Sequence, residues 1–426
     1  MFDKKEKEDF NKLIQTGKKH GGRLSSMFLS NYFVGFPSEK QTEDTYNRMT
    51  AYLESAGIEI IDDGSEIESE DEQSSMPKVR PFDPSKIDID MRTMELSSII
   101  TRLKYGEINM NTEFQRKSGL WTAVQKSQLI ESLLLRIPIP AFYFDGGVKD
   151  NWLIIDGLQR ITALKEFVID GKLALTGLEF FSDLEGAKFA DLPRTFVRRI
   201  EETNITAYIV KDGTPANVKY NIFKRINTGG LELTSQEIRH ALYQGPATRL
   251  CRRLAKCKEF LRATTYSVRD DRMMDEELAL RFIAVCYYGI DKYEGIPDNY
   301  LNGAMEYLNS PDCADGNVIE AQFKRVMNAA KSIMGKYAFR KLGDDGVRRP
   351  INKAIYEAWC RNLFLLDDRE IAFLAKNGSR IYDDFIEISN DTVFLQMIKA
   401  SDKKSFSLRF VQVEEMFRRI LHDLED

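Results

Sequence analysis

A chain of 426 residues is longer than one compact core usually serves, so two or three domains are expected. With 43% hydrophobic and 30% charged residues it reads as globular, and no apolar run approaches the ~20 residues that a bilayer span requires. The net charge of -5 disfavours a protein that coats nucleic acid nonspecifically, and it sits at the front: Met1 to Asp90 hold 12 Lys and Arg against 19 Asp and Glu, leaving 49 against 47 in the remainder.

The opening "MFDKKEKEDFNKL" lacks the apolar core of a signal peptide, and a cytoplasmic chain with no membrane partner is expected. Five cysteines (Cys251, Cys257, Cys286, Cys313 and Cys360) show no CxxC spacing, which favours reduced thiols over a disulfide frame or a zinc site. The three histidines, His20, His240 and His422, are too scattered for an HExxH metal helix or an HNH nuclease motif. No GxxxxGK[ST] loop is present, so a Walker-type ATPase is excluded as well.

Residues 1–63 read as a small, acidic, mainly helical domain. Its last helix closes near Leu53, Gly57 suits the left-handed residue after a helix end, and "IEII" reads as a short strand. Residues 64–86 continue an acidic, Ser-rich stretch that buries too little apolar surface to offset its ordering entropy, and they read as a flexible linker. Residues 87–245 mix strands with helices. "VQKSQLIESLLLR" spaces Val124, Leu129, Ile130, Leu133 and Leu134 on one helical face, with Pro138 ending it. "PAFYF", "WLIID" and "NITAYIV" read as strands, and "LQRITALKEFVI" repeats apolar residues at Leu158, Ile161, Leu164 and Val168. Residues 246–426 read as helices throughout, and His240, in "EIRHALY", is expected to be structural.

The junction "WLIIDGLQRITAL" carries the chemistry. A helix start offers unpaired N–H groups and a partial positive charge to an anion, and Gly157 allows close backbone approach. Arg160, one turn in, is placed for a bidentate phosphate contact, and the Gln159 amide is a further donor. Asp156 either bridges to a polyphosphate through Mg²⁺ or caps the helix, and both remain open here. Upstream, "INMNTEFQRKSGLW" sets Gln115 and Arg116 before a helix that opens near Thr122. Downstream, "YNIFKRINTGGLELTSQEIRHALY" carries Asn221, Arg225 and Asn227 before a Gly pair, with Thr234 or Ser235 as N-cap and Glu237 in the first turn.

The order FQR…W, DGLQRITAL, FKRINTGG…LTSQEIR resembles the N-terminal domain of GmrSD-type restriction and phage-defence proteins, whose hallmark is DGQQR in a ParB/sulfiredoxin-like fold. The resemblance implies an α+β chain: a ParB/sulfiredoxin-like mixed domain, an all-helical C-terminal domain, and the small acidic domain in front. It further implies a nucleoside-triphosphate site with Mg²⁺, and nucleotide hydrolysis as an activity. Asp156, Gly157, Gln159 and Arg160 match the hallmark. Gln115 and Arg116 match the upstream QR, and Asn221, Arg225 and Asn227 sit where ParB-like relatives bring a second polar motif to the triphosphate. Asp156, Gln159 and Arg160 are the catalytic candidates. Two positions depart from the pattern: Leu158 replaces the first Gln and is expected to pack inward, and Tyr220 stands where the ParB-type motif has a glutamate, which weakens metal coordination by that route.

The fuller family architecture adds an HNH nuclease, which the histidine census does not support here, so an effector supplied by another polypeptide is expected. The stretch "NKLIQTGKKHGGRLSSMFLSNYF", with "YLESAGIEIIDD" and the acidic tail, is similar to the N-terminal acidic region of primary sigma factors, implying contact with transcription machinery or cover for a basic groove. Two other functions stay open: a DNA-binding module without catalysis, drawing on "RRLAKCKEFLR" and "GVRRPINK", and an interaction or autoinhibitory scaffold acting through residues 1–63.

Overall fold

The structure, a computed structural model, describes residues 4–19, 21–34, 36, 42–61, 67–68, 88–110, 121–146, 151–211, 213–226, 233–268 and 272–425. Contacts divide the chain into two units: Val79–Leu242, and a discontinuous unit of Met1–Lys78 with Tyr243–Asp426.

Five strands organise the first unit: β1 (Ile89–Glu95), β2 (Ile108–Asn109), β3 (Phe142–Asp145), β4 (Trp152–Asp156) and β5 (Asn204–Val210). They lie in the order β1-β5-β3-β4-β2. The β1–β5 and β3–β4 pairs are antiparallel, whereas β5–β3 and β4–β2 are parallel. A mixed sheet among many helices is the α+β class expected.

Six helices cover the sheet: α1 (Leu96–Lys104), α2 (Ala123–Leu134), α3 (Leu158–Leu164), α4 (Arg194–Glu201), α5 (Ala216–Ile226) and α6 (Ser235–Leu242). Alternation along the strands sends Phe142, Phe144, Ile154, Ile205, Ala207 and Ile209 to one face, where α1 to α4 supply residues such as Ile99, Ile130, Ile161 and Ile200. Ile155 and Val210 pack on the other face with Tyr220, Phe223 and Ile238 of α5 and α6. Burial on both faces explains why β4 reads as a continuous apolar run.

Local chemistry sets the helix ends. Thr122 and Gln125 form a reciprocal capping box at α2. At α6 the Thr234 N–H donates to Glu237 at 2.6 Å and the Glu237 N–H returns to the Thr234 hydroxyl at 3.1 Å. Leu129, Ile130, Leu133 and Leu134 are buried as the periodicity predicts, but Val124, the second residue of α2, is 41% exposed and lies outside the buried stripe. Past α3 the chain takes a π-turn over Lys165–Ile169, in which Phe167 is fully buried and Val168 only partly. The end of α2 is less ordinary. Arg136 N–H bonds the Leu133 carbonyl and Ile137 N–H bonds the Ser132 carbonyl, the two-bond helix ending whose intervening residue is left-handed. That residue is Arg136, at φ +59°, where a side chain costs about 1 kcal/mol relative to glycine.

In the second unit, residues 4–61 contribute the helices Lys4–Lys19, Ser26–Val34 and Glu43–Ser55, and the parallel strands Arg23–Ser25 and Glu59–Ile61. Gly57, at φ +78°, follows the third helix as its spacing predicts. Phe10, Phe33, Tyr46, Met49 and Leu53 share a core with Tyr266, which belongs to the helical part of the chain. Arg348 adds polar bonds, to Asn31 at 2.7 Å, Ser30 at 3.0 Å and Thr265 at 2.5 Å. These front residues therefore share one contact-defined unit with Tyr243–Asp426. Within the stretch read as a linker, Ile67–Glu68 pairs in parallel with Ile351–Asn352, so backbone pairing there needs none of the apolar burial on which the linker expectation rested.

The helical part carries a charged cluster in its interior. Glu357, 2% exposed, accepts from Arg281 at 2.6 Å and from Arg409. Arg281 also pairs with Glu277 at 2.9 Å, which Lys353 reaches at 3.0 Å. These groups link the helices Met274–Ile283, Lys353–Leu365 and Lys403–Glu425. No helix among the described residues is long and apolar enough to cross a membrane.

Candidate functional site

Strand β4 ends at Asp156, and the chain turns into α3 through a single residue. Gly157 takes φ +99° and ψ 9°, which side chains other than glycine rarely adopt. A Cβ there would also lie 2.5 Å from the Phe142 ring. Gly157→Ala is expected to lower the unfolding free energy by about 2 kcal/mol through left-handed strain and ring displacement. Urea unfolding followed by circular dichroism checks this, and an unchanged midpoint would remove the packing role.

No side chain caps α3 at Gly157, and its first intrahelical bond is Ile161 N–H to the Gly157 carbonyl at 2.9 Å. Asp156 does not act as the cap. Its carboxylate accepts from Arg160 Nη2 at 2.6 Å, an i,i+4 pair in which Arg160 is 10% and Asp156 36% exposed. The other terminal nitrogen of Arg160 bonds the Ala141 carbonyl at 3.2 Å and the Pro140 carbonyl, with the guanidinium 4.8 Å from the Phe142 ring centre. Burial lowers the Arg160 pKa, and the neighbouring Asp156 opposes that shift. The arginine expected to meet a phosphate thus ties α3 to the entry of β3, because two backbone carbonyls and a carboxylate already surround it.

Gln159 is half-buried, and its amide oxygen accepts the Trp121 N–H at 3.2 Å. Trp121 follows the segment holding Gln115 and Arg116, which lie outside the described residues, as does Asn227. Leu158 packs partly buried against the core, as its phase predicts. Asn221 donates to the Asn217 carbonyl at 2.9 Å on α5, and Arg225 is exposed one turn further. Tyr220 is 1% exposed within the second sheet-face cluster, so it has no route to a solvent-bound metal. His240, 4% exposed, is structural as expected.

Several residues near the sheet were not singled out by sequence. Tyr143 stacks on Tyr208 at 4.8 Å, and burial, with Tyr208 and Asp156 close by, pushes its phenol up, keeping it a neutral donor. Lys219 and Asp145 form a nearly buried ion pair at 2.7 Å. Arg136, Arg198 and Arg199 line a cleft of about 610 Å³ between the end of α2 and α4. Only the crowding of arginines in "RTFVRRIE" hints at that cleft in the sequence.

Neither basic run offers free charge throughout. Arg252 pairs with Glu276 at 3.2 Å, Arg253 with Glu320 at 2.7 Å and Arg349 with Asp345 at 2.9 Å, while Arg348 is buried. All five cysteines are unpaired, and burial raises every thiol, that of Cys257 to about 11. No group of three or more His, Cys, Asp or Glu suited to a metal occurs among the described residues.

The family model for the GmrSD restriction endonuclease N-terminal domain matches residues 96–244. This segment is a GmrSD-type N-terminal domain. The match begins at α1, ends just beyond α6, and includes the Asp156–Arg160 turn. No curated protein and no solved structure gives a significant match to the chain. The GmrSD-type domain points to a protein of the restriction and phage-defence kind.

Proposed function

We propose that the chain is a nucleoside-triphosphate-binding sensor or regulator of a prokaryotic restriction-type defence system, and that its GmrSD-type domain, of ParB/sulfiredoxin type, holds the nucleotide beside the Asp156–Arg160 turn. The observation that carries this reading is the contact between Gln159 and Trp121. It joins the DGLQR turn to Trp121, distant in sequence, at a helix start that no side chain caps. Arg160 supports the ligand indirectly by fixing the turn. The bonded oxygen of Asp156 faces Arg160, and the carboxylate is a third exposed. One carboxylate with substrate phosphates suits Mg²⁺, and the metal would neutralise phosphate charge for hydrolysis.

A non-catalytic DNA-binding role is disfavoured by the pairing within both basic runs. A second reading gives residues 1–63 an interaction role, with transcription machinery or a separate effector protein as partner, from a module that the Arg348 and Tyr266 contacts seat on the helical part of its own chain.

The test is a thermal-shift series with ATP, GTP, CTP and UTP, with and without Mg²⁺, repeated on Gln159→Ala. A ligand at a hundred times its Kd adds ~2.7 kcal/mol to the native state, a readily measured shift. Gln159→Ala is expected to weaken binding about tenfold. If none of the four nucleotides shifts the wild type, nucleotide binding is abandoned.

A further inference from the structure

At the left-handed position that ends α2, glycine would relieve the backbone, yet the residue is Arg136. Its side chain is exposed and makes no hydrogen bond or ion pair among the described residues; only a longer-range attraction to Glu202 acts on it there. Strain retained without a bonded structural partner marks a position where the side chain serves something else.

What Arg136 faces is the cleft beside α4, together with Thr195, Arg198, Arg199, Thr203 and Asn204. Arg199 is held in place: it donates to the Leu134 carbonyl at 3.2 Å and lies 5.2 Å from the Phe196 ring centre, leaving further N–H groups for a ligand. The one acidic lining residue, Glu202, is bonded twice by Arg198, at 2.9 and 3.4 Å. Glu201, on the same helix, pairs with Arg194 at 3.0 Å. Among the described residues Arg136 and Arg199 are thus left without a hydrogen-bonded carboxylate, Glu202 only attracting Arg136 from further off, over hydroxyl and amide groups and with the apolar Ile137 and Pro138 beside them.

We propose that this cleft binds the phosphate of a small phosphorylated molecule, with Arg136 as the exposed, unbonded guanidinium and Arg199 as the one held in place. The volume of about 610 Å³ lies in the range of small-molecule sites. Among the described residues no aromatic side chain lines it, so they offer no stacking platform of the kind typical of single-stranded nucleic-acid grooves. The site does not rest on the nucleotide reading, because its residues are separate from the Asp156–Arg160 turn.

Isothermal titration of the full chain with inorganic pyrophosphate and with adenosine monophosphate, at low salt, tests it. A 20-base-pair DNA duplex serves as the competing arm. The wild type is expected to bind at least one of the two small ligands, and Arg136→Gly to weaken that binding about tenfold or more. The melting temperature of Arg136→Gly is expected not to fall, since glycine suits the backbone there; a purely structural arginine could not lose binding while keeping stability. Gln159→Ala is expected to leave this binding intact, which separates the cleft from the nucleotide site. The proposal is overturned by equal binding in wild type and Arg136→Gly, by no binding of either small ligand, or by loss in Gln159→Ala. It is also overturned by duplex binding that depends on Arg136 and that pyrophosphate does not displace.

Discussion

Arg160→Ala is expected to lower the stability of the sheet unit by about 3 kcal/mol, seen as a fall of about 6–12 °C in its melting transition. The guanidinium has three acceptors, the Asp156 carboxylate and the Pro140 and Ala141 carbonyls, and it lies against Phe142. Truncation leaves all three without that donor and opens a space beneath the turn. Hydrogen bonds to a charged donor contribute about 1.5–3 kcal/mol each, but water can reach the partly exposed Asp156, so the sum is discounted. Arg160→Lys restores the charge without the planar fork and should recover only part of the loss. Scanning calorimetry is the measurement. An unchanged transition accompanied by lost nucleotide affinity would mean that the guanidinium serves the ligand directly.

Glu357→Ala should be more damaging, at about 3–5 kcal/mol, because it leaves Arg281 and Arg409 facing each other in the interior of the helical unit. All three side chains are 5% exposed or less, so water cannot substitute for the missing carboxylate. Arg281 retains Glu277, and Arg409 retains, among the described residues, the rings of Phe406 and Phe410. Glu357→Gln keeps the shape and one acceptor oxygen and should fall between wild type and alanine. Replacing Glu357, Arg281 and Arg409 together by apolar residues of similar volume should be far milder than the single truncation. If denaturant titration shows the single change to be as mild as the triple one, the cluster is not a coupled unit.

Much of the sheet unit was legible because its signals are local. The strands "WLIID", a continuous apolar run, and "NITAYIV", an alternating one, begin and end where those patterns do. The Thr122 and Thr234 caps follow from residue type and a three-residue spacing, and the Asp156–Gly157 junction from a strand pattern meeting a helical one. The role of Arg160 was harder to see. Its spacing from Asp156 is that of a helical ion pair, but the carbonyls of Pro140 and Ala141 come from a segment some twenty residues earlier, and sequence spacing carries no trace of them. Arg136 was hidden for a different reason: helix ends are usually announced by glycine, and here none is present. The place of Tyr266 in the front core was equally hidden, because a partner more than two hundred residues away leaves no periodic signature.

That last contact affects how the chain is made. Ser30 and Thr265, which hydrogen-bond directly, stand 235 residues apart, with the whole sheet unit encoded between them. During synthesis at about 5–20 residues per second, the front helices wait some ten seconds or more with Phe33 and Tyr46 lacking the tyrosine that meets the first edge-on and stacks on the second. Closing so long a loop is slow, and exposed aromatic surface invites association in the meantime. The nascent chain should therefore depend on chaperones, or on low temperature, at this stage more than at any other.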